Sequence, residues 1–197
     1  MNNNTLIVGV LLLVIGLGAG YVFGKNQTSP SSVSTTHMMG GGAMMSNNID
    51  QHFIVQMIPH HEGAIEMAHI ALERSKRPEI LSLAKGIIEA QERENTDMRA
   101  WYQSWFGSTP PSGTSGMGMM QMGSMEGDVN VLRTVSDAEF DREFIEQMIP
   151  HHEMAIMMAS MLAAVTERDE MKTLADNIIT SQSREVDMMR GWLTSWY

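Results

Sequence analysis

Along residues 48–106 the apolar positions return every three to four residues, the period of an amphipathic helix rather than of a strand. Projected at about 100° per residue, Phe53, Met57, His60, His61, Ala64, Met67, Ala68 and Ala71 fall in one arc, while Glu62, Glu66 and His69 point away from it. The pattern predicts one helix over about 48–75 and a second over about 78–105. Pro78 suits a first helical turn, where its missing N–H costs nothing. The second helix carries its own stripe of Ile80, Leu83, Ile87, Gln91, Glu94, Met98, Trp101 and Trp105.

The same pattern then recurs. Residues 141–197 align without gaps to 50–106, with about half of the positions identical, so the chain is an internal repeat. The second arc holds Phe144, Met148, His151, His152, Ala155, Met158, Ala159 and Leu162. Its partner holds Met171, Leu174, Ile178, Gln182, Glu185, Met189, Trp192 and Trp196. "SDAE" at 136–139 reads as a capping box that starts the third helix, and the fourth begins near Arg168. There is no strict heptad and no period-2 run. The expected fold is all-α: an antiparallel four-helix bundle built from two repeated helical hairpins.

The rest of the chain is organised around that bundle. Residues 6–24 carry no charge, about the length that spans a bilayer as a helix, so residues 1–25 read as an export signal or membrane anchor. Cleavage and retention both stay open; a retained helix would keep the chain in contact with the membrane, and either outcome exports the remainder. Residues 26–45, ending "HMMGGGAMM", read as a flexible tether. The bundle occupies 46–197, with hairpin 1 at 46–106, a Met/Gly/Pro-rich linker at 107–135 and hairpin 2 at 136–197.

Charge and composition narrow the chemistry. A net charge of −10 speaks against nucleic-acid binding, and the absence of cysteine excludes disulfides, iron–sulfur clusters and thiolate sites. Methionine, by contrast, is abundant at 21 residues. Each repeat carries "QMIPHHE", at 56–62 and 147–153, which places two adjacent histidines in the apolar stripe just after a proline. In an antiparallel hairpin closing near Lys76, His60 and His61 lie opposite Glu92 and Arg93, between Gln91 and Glu94. The second copy places His151 and His152 between Gln182 and Glu185. All four histidines sit near mid-helix, so they are expected at one height in the bundle centre.

Neutral imidazole and thioether together suit Cu(I), and Ag(I) shares the preference by softness. The candidate ligands are His60, His61, His151 and His152 with Met57, Met148, Met67 and Met158. Gln91, Glu94, Gln182 and Glu185 are candidates to hold the second ring nitrogens. Pro59 and Pro150 each remove a helix hydrogen bond, which gives the following histidines room to turn. A single buried histidine is ordinarily satisfied core, and core methionines such as Met98 and Met189 are ordinarily gap-fillers. Duplication and convergence beside core Glu and Gln favour a metal.

The loop residues His37, Met38, Met39, Met44, Met45, Met117, Met119, Met120, Met122 and Met125 read equally as auxiliary copper sites or as low-complexity tether. His37, His52 and His69 are candidates for Cu(II) or Zn(II) at the surface. Two other functions compete. A ferritin-like di-metal carboxylate oxidase uses Glu-x-x-His on two helices; here Glu66-x-x-His69 faces outward and becomes Met157-x-x-Ser160 in the second copy. The third reading is a structural or oligomerising bundle. No hydrolytic constellation and no phosphate-binding glycine loop is present, so no enzyme is expected.

The paired "QMIPHHE…AIEMA" and "QMIPHHE…AIMMA", followed by "AQERENTDMRAW" and "SQSREVDMMRGW", resemble the CopM-like family of ferritin-like four-helix bundles over about residues 46–197. The resemblance implies a periplasmic protein that binds monovalent copper or silver at His60, His61, His151 and His152. It further implies a metallochaperone or scavenger role in copper resistance, with a copper sensor or efflux protein as partner.

Overall fold

A computed structural model describes residues 41–111 and 125–197, with side chains over 49–111 and 129–197. The expected export segment, the tether up to residue 40 and the methionine run at 117–122 lie outside the described residues. The described chain forms five helices: α1 Gly41–Arg74, α2 Pro78–Phe106, α3 Met125–Thr134, α4 Phe140–Ala163 and α5 Asp169–Trp196. No strand occurs among the described residues.

Helix boundaries follow local chemistry. α2 opens on Pro78 after an extended Arg77 and closes on Gly107, whose φ of 72° is the left-handed conformation that glycine tolerates. The Gly107 N–H there donates to the Gln103 carbonyl at 3.0 Å. The "SDAE" stretch differs from expectation. The Ser136 hydroxyl donates to the Glu139 carboxylate at 3.0 Å, and the Glu139 N–H donates to the Ser136 carbonyl at 3.1 Å. This closes a turn ahead of the helix, so α4 starts at Phe140 rather than within the box. Pro59 and Pro150 both lie inside continuous helices.

α3 was not expected, since it lies in the segment read as linker. Its Val129 and Leu132 are buried in one cluster with Ile70 of α1. Polar anchors hold it from the α1 side. Arg133 donates to Glu66 at 2.6 Å, and Arg74 donates to the Leu132 and Val135 carbonyls at 2.6 and 2.7 Å. A helix of ten residues with two buried apolar positions among its described side chains leaves almost no periodic signal in sequence; tertiary contacts stabilise it instead.

The two hairpins, α1–α2 and α4–α5, run antiparallel to each other. Arg77, in the α1–α2 turn, pairs with Asp141 at 3.2 Å and covers the Trp196 ring at 4.3 Å. Arg168, in the α4–α5 turn, pairs with Asp50 at 3.2 Å and covers the Trp105 ring at 4.0 Å. Each turn therefore seals the open end of the other hairpin, and the tryptophan pairs are stacked there, 5.7 Å apart in one hairpin and 5.1 Å in the other. With α1 and α4 packed directly together, the arrangement is the antiparallel bundle that the repeat implied.

The core is divided. One apolar cluster joins Ala64, Met67, Ile80 and Ile87 to Phe140, Phe144, Met148 and Met189. The other joins Phe53, Met57, Met98 and Tyr102 to Ala159, Leu162, Met171 and Ile178. Between them, on α1 and α4, lie the four histidines.

Candidate metal centre

Pro59 and Pro150 each precede a histidine pair on the two helices that pack directly together. His60, His61, His151 and His152 are all buried, between 0 and 7% exposed. The His60 and His151 rings meet at 3.8 Å between centroids; each lies 6.4 Å from its neighbour in sequence. The order is thus His61, His60, His151, His152, with the contact between repeats in the middle.

Two carboxylates fix the outer pair. His61 Nε2 lies 2.7 Å from Glu94 Oε2, and His152 Nε2 lies 2.7 Å from Glu185 Oε2. A carboxylate only accepts, so each Nε2 carries the proton and donates it; in the neutral tautomer this leaves Nδ1 with a lone pair. Nδ1 of His60, His61 and His152 is buried without a hydrogen-bond partner. An orphaned buried acceptor costs roughly 1–3 kcal/mol, so three of them together need an explanation. Burial, then the neighbouring His61 and His152, pushes the His60 pKa down to about 3; burial likewise holds His151 well below the usual imidazole range. Both are neutral at pH 7, the state in which imidazole offers a lone pair.

The four candidate thioethers divide between the two clusters. Met57 and Met158 lie on one side of the histidine layer, and Met148 and Met67 on the other, each side drawing one from each hairpin. Met57, Met67 and Met148 are fully buried, whereas Met158 is half-buried at the rim of its cluster. Gln91 and Gln182 are also buried beside the layer, and their Oε1 atoms have no hydrogen-bond partner. Of the residues expected to hold imidazoles, Glu94 and Glu185 therefore do so visibly. Asn95, which sequence reasoning missed, is buried with an unpartnered Oδ1; it replaces what is Val186 in the second repeat, a substitution visible in the alignment.

No three His, Asp or Glu side chains among the described residues are arranged around a single metal-sized point. The nitrogen donors come in pairs, and the clusters on either side contribute methionine side chains, while Gln91 and Gln182 add neutral amide oxygens. Buried imidazole nitrogens flanked by methionine-containing clusters fit a soft monovalent ion. They do not fit a hard cation that needs charged oxygens.

The peripheral candidates are scattered. His52 is exposed and bonded to Gln56 at 2.8 Å, and His69 is exposed beside Glu62, Glu66 and Glu92 on the outer face. Glu66 is engaged by Arg133 and Glu62 by Arg99, each at 2.6 Å. The outward Glu66-x-x-His69 is thus part of a surface ion-pair face, not of the bundle interior. His37, Met38, Met39, Met117, Met119, Met120 and Met122 lie outside the described residues, as do the side chains of Met44, Met45 and Met125. No described helix is long and apolar enough to cross a membrane.

Comparison with known proteins now bears on this geometry. Residues 50–197 match the family described as "Domain of unknown function (DUF305)". CopM in its Cu(I)-bound form is 48% identical and superposes with a TM-score of 0.66, covering 75% of this chain and 97% of CopM. Its Cu(II)-bound form gives 50% identity and a TM-score of 0.67 at the same coverage. A DUF305 fragment from Deinococcus radiodurans is 28% identical with a TM-score of 0.65, over 75% of this chain and 96% of the fragment. A curated relative, uncharacterized protein L153 of Acanthamoeba polyphaga mimivirus, is 40% identical over 53 residues, and the match covers 27% of this chain and about a third (35%) of that protein's length. Matched along both hairpins, the chain belongs to the DUF305 family, as a CopM-like member.

Proposed function

We propose that this chain is an exported copper-binding protein that holds Cu(I) at the histidine layer between its two hairpins. The observation that carries the reading is the trio of buried, unpartnered Nδ1 atoms on His60, His61 and His152, set between thioether-containing clusters. His61 and His152 present Nδ1 because Glu94 and Glu185 hold Nε2–H. Met57 and Met148, one turn before the histidines in sequence, are assigned as the sulfur donors of each hairpin; Met67 and Met158 follow further along. CopM, which shares nearly half of its residues with this chain, has been solved with Cu(I), Cu(II) and Ag bound. Silver serves as the mimic, and Cu(II) is assigned to exposed imidazoles such as His52.

The role is that of a non-catalytic metallochaperone or scavenger in copper resistance. It works in the periplasm, with an efflux or sensor protein as the receiver. The apolar N-terminal run supports export. A di-metal carboxylate oxidase is disfavoured by Glu66, which faces outward and is engaged by Arg133.

The test is anaerobic competition of the full chain against a chromogenic Cu(I) chelator, repeated with His60, His61, His151 and His152 changed to alanine. Helical content is checked by circular dichroism. Tight binding that disappears in a folded variant supports the proposal. Undiminished binding overturns it, and iron-dependent oxygen uptake would establish the oxidase instead.

A further inference from the structure

The repeat is not symmetric on its outer faces. On α1, Glu66 and Arg74 hold α3 by ion pairing and by bonds to the Leu132 and Val135 carbonyls at and just past its end, and Ile70 is buried in the α3 cluster at 7% exposure. The aligned positions in the second repeat are Met157 and Met161 on α4 and Val165 just past its end. Both polar anchors are gone, and no described helix covers this face: Met157 is 47% exposed and Met161 62%. Gly63 of the first repeat becomes Met154, which is half-buried. Met154, Met157, Met158 and Met161 thus fall at i, i+3, i+4 and i+7, within an arc of about 100° on one helix.

Packing does not account for this stripe. An exposed face that has lost its covering helix is ordinarily repopulated with charged or short polar residues, and single exposed apolar groups are scattered. Here two exposed thioethers, Met157 and Met161, stand in a row with the half-buried Met154. Their shared property is soft-donor sulfur, which prefers Cu(I) and Ag(I) over the hard cations of the medium. The fourth methionine, Met158, lies on the inner border of the stripe and packs in the same cluster as Met57.

We propose that the outer face of α4 is a separate soft-cation site, in which Met154, Met157 and Met161 take up a monovalent ion that Met158 relays to the histidine layer. Loading enters through hairpin 2, because α3 covers the equivalent face of hairpin 1. Each move is a ligand exchange, one thioether sulfur leaving as the next binds, with no change in oxidation state. The relay rests on the function proposed above; the surface site does not.

The experiment uses the full chain with methionine methyl groups labelled with carbon-13, titrated with Ag(I). Met157→Leu and Met161→Leu assign the two exposed methyls. Both methyls are expected to shift at the first additions of ion. A Met154→Leu/Met157→Leu/Met161→Leu variant keeps its helicity and takes Cu(I) from the chelator about tenfold more slowly, as for a modest rise in a loading barrier. Its buried site still fills. Silent Met157 and Met161 methyls, or wild-type loading by the triple variant, would overturn the proposal. So would methyl shifts that follow protein concentration rather than the ion, which mark a self-association face. If these methyls respond while Met57 and Met148 do not, the surface site stands and the central reading fails.

Discussion

Glu94 is the residue through which the centre is most sharply tested. Its Oε2 accepts from His61 Nε2 at 2.7 Å, and its side chain is only 12% exposed. Replacing it with alanine removes a buried charge-assisted bond, with a net stability loss of about 1.5–3 kcal/mol. It also frees the imidazole to turn and to move its proton to Nδ1, which removes the lone pair from the ion. Loss of such an outer partner weakens metal binding by roughly 10- to 100-fold. Urea unfolding of the metal-free chain measures the first effect, and chelator competition the second. Glu94→Gln, whose amide oxygen still accepts, should fall between wild type and Glu94→Ala in both assays. With His61→Ala added, the two stability losses should overlap rather than sum, since both remove the same bond. If Glu94→Ala unfolds more readily yet binds Cu(I) as tightly as wild type, Glu94 is a packing residue and the tautomer argument is wrong.

Three further outcomes follow from the same geometry. Metal-free stability should fall on acidification from pH 6.5 toward pH 3, because in that window the unfolded chain protonates an imidazole that folded His60 keeps neutral; at pH 4.5 His60 alone contributes a loss of about 2–3 kcal/mol, read by urea unfolding at each pH. Asp50, whose carboxyl burial raises, works in the opposite sense between its raised folded value and the usual carboxylate value, and partly offsets that loss there. Arg168→Ala leaves the fully buried Asp50 with only the Thr166 hydroxyl at 2.6 Å; we expect a loss of about 3 kcal/mol and a lower thermal midpoint, and an unchanged midpoint would refute the end-sealing role of this pair. Pro59→Ala restores a helix N–H at the step before His60; it should slow Cu(I) release in stopped-flow transfer to a chelator, and equal release rates would show that the proline does not govern exchange.

The helices and their inward faces were legible because hydrophobic period is a local property, and the repeat supplied it twice. Phe53, Met57 and Met67, with Phe144 and Met148, needed only the 3.6-residue turn to be placed, whereas Met158 sits half-buried at the rim. The His61–Glu94 contact was within reach because an antiparallel hairpin with a short turn fixes which heights coincide. Three features were not legible. α3 is held by Glu66, Arg74 and Arg133, contacts between residues far apart in sequence that no local pattern encodes. The division of Met57 with Met158, and of Met148 with Met67, depends on the hairpins running antiparallel; histidines at mid-height look the same in either direction. The exposed stripe on α4 becomes visible only once α3 is seen covering one repeat and not the other.

The most direct test of the central claim is imidazole nitrogen-15 NMR on the full chain as one equivalent of Ag(I) is added. The account predicts that the Nδ1 signals of His61 and His152 move to metal-bound positions while their Nε2 atoms stay protonated on Glu94 and Glu185. Imidazole nitrogens unmoved by a tightly bound ion, or binding through Nε2 with the carboxylates released, would contradict it.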